Sequence, residues 1–219
     1  MYKVLTQQLN GLPPVDDREV WRYAGMRIQA DKTLSQVFRA CLDLTKDAFL
    51  PKVAYCELPK DVFFDLVPQA KESKSLPLAS AEKVVLFVAT VGVGIDRLIT
   101  KYTKVAPIKA LFFQALGAER IEQTCDVFCA NIAQNYAEQG FTLGRRFSPG
   151  YGDFSLLAQR NIFKILSPEQ KVGVTLTDSL MMSPTKSVSA VIPIMKNCHP
   201  SQEKSCKNCM MQSCAYKRD

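Results

Sequence analysis

The amino-acid sequence predicts an α+β protein: a mainly antiparallel sheet with flanking helices, a C-terminal β-hairpin and a Cys-rich tail. Long segments carry apolar residues at helical spacing, while shorter ones alternate or run apolar as strands do. The two kinds do not follow one another in the regular β-α-β order that a parallel sheet requires. Residues 1–195 are expected to form one domain and residues 196–219 a separate Cys-rich tail.

Taken in order, DDREVWRYAGMR (Asp16 to Arg27) opens with acids suited to a helix N-terminus and places Val20, Tyr23 and Ala24 at helical spacing. DKTLSQVFRACLDLTKDAFLPK then sets Leu34, Val37, Phe38, Cys41 and Leu42 on one stripe, an amphipathic helix expected to end at Pro51. Lys52 to Leu58 alternates as a strand. Residues 68–82 are polar and broken by proline, which predicts a connection. KVVLFVATVGVGID reads as a buried strand running into a Gly-rich turn, with a helix from Ile95 to Tyr102. Pro107 to about Gln139 is a long helix, with proline at its first turn and Gly140 as its stop. Phe154 to Leu166 is a short helix halted by Ser167-Pro168. Lys171 to Met195 is expected to form two strands joined across Ser183-Pro184-Thr185-Lys186.

Composition narrows the function. Apolar residues make up 47% and charged ones 22%, ordinary for a globular domain. The longest apolar run, Val84 to Ile95, is too short for a bilayer, which needs about 20 residues. MYKVLTQQLNGLPPVDD has no apolar signal core, so the expected location is the cytoplasm, with no membrane partner. A net charge of +7 suits an anionic partner. Basic residues gather only from Lys196 to Arg218, so the pattern does not point to nucleic acid.

The eight cysteines fall into two groups. Cys41, Cys56, Cys125 and Cys129 sit among apolar neighbours and are expected in the core. Cys198, Cys206, Cys209 and Cys214 crowd the tail, with the sole histidine, His199, as a substitute ligand. Zinc and an iron–sulfur cluster both suit this donor set, and a metal-free thiol tail is the competing reading.

Other features carry less chemistry. Gly92 and Gly94 precede a helix, but the third glycine of a dinucleotide fingerprint is missing, which favours a plain tight turn. Of Met181 and Met182, neighbours on a strand, one is expected in the core and one facing a ligand or partner. With its one histidine in the tail, the chain offers no Ser/His/Asp or Cys/His set, which argues against acid–base hydrolysis. RRFSPGYGDF (Arg145 to Phe154) is different. Pro149 presets the backbone, Gly150 and Gly152 allow close approach to a ligand, and an upstream arginine suits a carboxylate. A surface turn accounts for the same residues equally well.

Two ordered motifs tip the balance. Arg146-Phe147-Ser148-Pro149-Gly150-Tyr151, followed by Leu176-Thr177-Asp178-Ser179, Met182-Ser183-Pro184 and Ser187-Val188-Ser189, resembles the activation (reactivation) domain of cobalamin-dependent methionine synthase. Ala190 stands where that family usually has glycine. LGAERIEQTCDVF resembles the long helix before these motifs, and VWRYAGMR the opening of the stand-alone bacterial form. The resemblance implies S-adenosylmethionine as ligand and the cobalamin of a separate corrinoid-bearing methionine synthase or related methyltransferase as methyl acceptor. An electron donor such as flavodoxin or ferredoxin would complete the reductive reactivation.

By the same resemblance Arg146 holds the ligand's carboxylate, Ser148, Pro149 and Gly150 offer backbone, and Tyr151 sits near the cobalamin as the residue closest to catalysis. Thr177, Ser179 and Ser189 are further cofactor-binding candidates, and Cys198, Cys206, Cys209 and Cys214 the metal candidates. No match is found for an acidic ligand-binding residue that the synthase-fused form carries in an additional N-terminal part. The competing readings are a binding module that senses S-adenosylmethionine without turnover and a zinc-tailed nucleic-acid binder.

Overall fold

A computed structural model describes residues 2–26 and 32–196. Its centre is a curled five-stranded antiparallel sheet of β1 (Leu5–Gln8), β2 (Lys52–Pro59), β3 (Lys83–Thr90), β7 (Ser187–Lys196) and β4 (Phe141–Leu143), in that spatial order. A two-stranded ladder of β5 (Thr175–Leu176) and β6 (Met182–Ser183) stands apart. The helices are α1 (Asp17–Tyr23), α2 (Lys32–Leu44), α3 (Lys60–Leu66), α4 (Gln69–Glu72), α5 (Gly94–Thr103), α6 (Pro107–Ala137), α7 (Ala158–Leu166) and α8 (Pro168–Val172). The α+β, mainly antiparallel expectation is met.

The period of two along the strands builds two cores. Val85, Phe87 and Ala89 of β3, with Ala190, Ile192 and Ile194 of β7, meet α1, α2, α5 and α6 on one face. Val84, Leu86, Val88 and Val191 meet α3, α4, α7 and α8 on the other. Covered on both faces, β3 reads as a continuous apolar run rather than an alternation. On the first face Trp21 packs edge-on against Phe112, and Phe38 touches both, with ring centroids 5.2–5.6 Å apart. The buried Arg120 donates to the Pro13 and Pro14 carbonyls, and its ion-pair partner Glu119 accepts from the Asp16 N–H. These contacts tie the segment before α1 to the middle of α6.

Some boundaries differ from expectation, for local reasons. The second helix stops at Leu44 and not at Pro51. The Thr45 hydroxyl donates to the Leu42 carbonyl at 2.8 Å, and tight turns carry the chain through Ala48. The strands after α8 do not form a hairpin across Ser183–Lys186. The hairpin is β5–β6, closed by Thr177 N–H to the Met181 carbonyl, while β7 pairs with β3 and β4. Nine apolar or small residues, Ser187 to Met195, fit two covered faces and drew β7 into the central sheet. Residues 68–82 do form a connection, but it contains α4 and buries Leu76, Leu78 and Ala81. The short β1, β4, α3 and α8 carry too few periods to stand out in the sequence.

Candidate functional site

The open end of the sheet holds a cleft of about 510 Å3, within the range of small-molecule sites. Five pieces of chain build it: the middle of α6, the segment Arg146–Tyr151, α7, Met182 of β6 and the first residues of β7. Arg146, Ser148, Pro149, Tyr151 and Ser189 of the expected set line it, joined by Glu122, Phe147, Gln159, Met182, Ser187 and Val188.

The Ser148–Phe154 turn is shaped from within and anchored from outside. The N–H of Gly150, at φ +93°, donates to the Phe154 carbonyl at 2.8 Å, and Phe154 N–H returns to the Tyr151 carbonyl at 3.0 Å. Phe154 is buried and packs near Phe147. The Asp153 carboxylate accepts from the Ser73 hydroxyl at 2.7 Å and from the N–H groups of Lys74 and Ser75 at 2.9 and 3.0 Å. A Cβ on Gly152 would lie 2.6 Å from the Ser75 hydroxyl oxygen, so only glycine lets the turn sit this close. Led by the Ser73 hydrogen bond, these donors hold the Asp153 carboxyl well below the usual carboxylate range. The turn leaves Tyr151 68% exposed at the mouth of the cleft.

Arg146 reaches from this turn to α6, where its guanidinium meets Glu122 at 2.6 Å and Asp126 at 2.5 Å. The two acids, four residues apart, share a helix face. Burial works against the arginine's charge, but Cys125, Asp126 and Glu122 outweigh it and hold the pKa above its ordinary value. Cys129 lies on the same face; burial raises its thiol and Arg146 draws it part-way back. Two ion pairs use only part of a guanidinium's five N–H donors, so a third anion still has partners here.

Gln159 forms part of the cleft wall at 5% exposure, beside Ser189 at 1%. Its Nε2 donates to the Ser189 hydroxyl at 3.3 Å, and its Oε1 has no partner. Turning the amide over would leave the NH2 end unpaired instead, so one end is unsatisfied either way. A buried amide end without a partner is costly and rare.

The remaining candidates lie elsewhere. Gly150 sits behind the turn, outside the lining residues. Thr177 and Ser179 also lie outside it. Their hydroxyls meet at 3.0 Å, and Thr177 accepts from Met181 N–H, which closes the β5–β6 turn. Met182 packs against the second core and lines the cleft, while Met181 is 65% exposed. The Gly92–Gly94 segment is a packing turn: a Cβ on Gly94 would lie 2.2 Å from the Ala48 carbonyl oxygen. In the first turn of α5, the Asp96 carboxylate accepts from the N–H and hydroxyl of Thr185, which lies between β6 and β7. Cys41, Cys56 and Cys125 are buried, and burial pushes Cys41 up to about 11 and Cys56 to about 12.

The tail cysteines Cys198, Cys206, Cys209 and Cys214 fall outside the described residues. Among the described residues no cluster of three or more His, Cys, Asp or Glu is arranged for a metal, and no helix is long and apolar enough to cross a membrane. Gln159 and Glu122 were not singled out from sequence. The only trace of Gln159 is its place on the apolar stripe of α7, between Ala158 and Ile162.

Residues 73–203 match the family model described as the vitamin B12 dependent methionine synthase activation domain. No curated protein sequence matches the chain. A solved structure described as the MetH reactivation domain bound to AdoHcy superposes with a TM-score of 0.63 at 16% identity, covering 92% of this chain and 80% of that one. At that identity the likeness is one of fold.

Proposed function

The chain belongs to the family of vitamin B12-dependent methionine synthase activation domains, and we propose from that membership that its cleft binds S-adenosylmethionine and presents the methyl group to the reduced cobalamin of a separate corrinoid-bearing protein. The observation that carries this reading is the pairing of Arg146 with Glu122 inside a cleft beneath the proline-stiffened turn. A free amino acid end carries one carboxylate and one ammonium. Arg146 suits the first by two parallel hydrogen bonds, and Glu122 suits the second. Glu122 would then do the work of the acidic ligand residue that the sequence left unmatched.

Ser148, Pro149 and Gly150 supply a turn of set shape along which the ligand lies. Thr177, Ser179 and Met181 belong to the neighbouring hairpin and act by holding Met182 in the wall. Tyr151, exposed at the mouth, is the residue placed to meet the partner's corrin. In the transfer, CH3+ passes from the sulfonium to the partner's reduced cobalt, which supplies the electron pair, and a neutral thioether is left. No proton moves in that step, so it asks for no acid–base pair. What the chain contributes is alignment, and alignment is a large source of rate acceleration.

A flavodoxin- or ferredoxin-type donor would supply the electron that returns the partner's cobalamin to its reactive state. A zinc ion or iron–sulfur cluster held by the tail cysteines belongs to the same proposal, and metal analysis of anaerobically purified protein tests it.

Calorimetry with S-adenosylmethionine tests the cleft. Arg146→Ala should weaken binding by about 2 kcal/mol, roughly thirtyfold, because charged hydrogen bonds to the carboxylate are lost. Unchanged affinity would remove Arg146 from the site. Mixing the protein with a cob(II)alamin-loaded methyltransferase, a reductant and S-adenosylmethionine should form methylcobalamin. Binding without that product would make the chain a sensor.

A further inference from the structure

Met182 and the start of β7 form one wall of the cleft, and the short loop through Pro184, Thr185 and Lys186 joins them. Among the described residues, β5 and β6 pair with each other in a ladder separate from the central sheet. Sheet pairing therefore fixes β7 but leaves the place of Met182 to other contacts. The strongest comes from α5. The Asp96 carboxylate, in the first turn of that helix, accepts from the Thr185 N–H at 2.8 Å and from its hydroxyl at 2.5 Å. Two hydrogen bonds to one charged group fix a residue in two directions. Thr185 is the middle residue of the loop, so what holds it holds both ends of the wall. Neighbouring contacts brace the same loop. The Lys186 stem lies against Gly117 of α6, where a Cβ would meet its Cγ at 2.8 Å. Burial lowers the pKa of that lysine, and Asp96 draws it part-way back. The Ser187 hydroxyl donates to the Pro184 carbonyl at 2.8 Å and meets the Thr90 hydroxyl at 3.0 Å. At the tip of the β5–β6 hairpin the tie is weaker, with Arg160 reaching the Asp178 carbonyl at 3.4 Å. Asp96 itself stands outside the lining residues.

We propose that Asp96 is a positioning residue for methyl transfer: by fixing Thr185 it sets the cleft wall that Met182, Ser187 and Val188 form. This rests on the reading that the cleft presents the methyl group of S-adenosylmethionine. The charged anchors assigned to that ligand, Arg146 and Glu122, lie on the segment after β4 and on α6, away from this loop. A released loop lets the wall shift while those anchors still hold, so the ligand stays bound with its sulfonium less well aimed. Misplacing the reacting atoms by about 1 Å can cost about a hundredfold in rate. Loss of the clamp therefore falls on the transfer step more than on affinity.

Two measurements test it. Single-turnover methylcobalamin formation at saturating S-adenosylmethionine, with a cob(II)alamin-loaded methyltransferase and a reductant, gives the rate, while calorimetry gives the affinity. A second readout needs no activity: 13C-methyl labelling of the seven methionines, with Met182→Leu to identify one signal, reports the wall directly. Asp96→Ala should slow transfer about tenfold or more, change affinity by less than about threefold and shift the Met182 signal. Asp96→Asn keeps one acceptor oxygen and should fall between it and the wild type. A wild-type rate with an unshifted Met182 signal in folded Asp96→Ala overturns the clamp. Weaker binding with the saturating rate unchanged overturns the positioning role, since only uniform binding has then been lost. If the wild type forms no methylcobalamin, the methyl-transfer reading falls, and the Met182 signal alone decides the clamp. Should Asp96→Ala fail to fold, Asp96→Asn and Thr185→Val carry the same test.

Discussion

Asp153 shows how one side chain sets the shape of a site it does not line. Its carboxylate collects three donors from Ser73, Lys74 and Ser75, and so fastens the turn bearing Ser148 and Tyr151 to a second loop. Asp153→Ala should weaken S-adenosylmethionine binding by about five- to tenfold through lost alignment, with Asp153→Asn intermediate because an amide oxygen still accepts. The folded-state pKa is depressed, so the anchor is fully present above the unfolded value of about 3.9 and is lost only as pH falls through the lower folded value. The affinity ratio of wild type to Asp153→Ala should then stay flat between about pH 8 and pH 5, as titration across pH would show; a ratio that collapses near pH 5 would contradict the anchor. Arg146 belongs to the same scale. Its charge and its place beside the turn were legible in the sequence, but its acid partners were not, since Glu122 and Asp126 lie 24 and 20 residues away on another element.

Among the elements, α6 is the one on which the cleft depends. Its 31 residues cross the first face of the sheet, and Glu122, Asp126 and Cys129 fall on one side at helical spacing. Its length and ends were readable from Pro107 and Gly140. That Glu122 faces a cleft was not, because the side facing Arg146 is decided by where the turn after β4 lies. The β3–α5 turn makes a simpler prediction. Gly94→Ala would drive a methyl into the Ala48 backbone, which has no flexible end to yield. A loss of about 1–3 kcal/mol in urea unfolding is expected, with ligand affinity in the folded fraction unchanged. Near-wild-type stability would mean that the loop before β2 shifts freely.

For the whole molecule, the two cores on opposite faces of one sheet act as a single support. Phe128 of α6 is buried and packs at 5.1 Å between centroids against both Tyr55 of β2 and Phe87 of β3. Phe128→Ala should cost about 3–5 kcal/mol by urea titration, a large share of the 5–15 kcal/mol that holds a typical domain. A loss below about 1 kcal/mol would mean that α6 is not fixed to the sheet through this contact. Since Asp126 and Cys129 flank that residue, the same variant should also weaken ligand binding.

Local spacing was enough to determine the α+β class, the long helix, the buried strand and the Arg146–Tyr151 turn, because period and turn chemistry act between near neighbours in the chain. Four expected binding residues, Arg146, Ser148, Pro149 and Tyr151, share the cleft for that reason, while Ser189 reaches it from β7. Tertiary structure alone decided that β7 pairs with β3, that its Ser187 and Ser189 line the cleft, and that Gln159 is buried there. Strand pairing and burial depend on residues about 100 positions apart, as in Thr90 against Ser187, and no local pattern encodes which of two apolar faces a strand will offer to which neighbour.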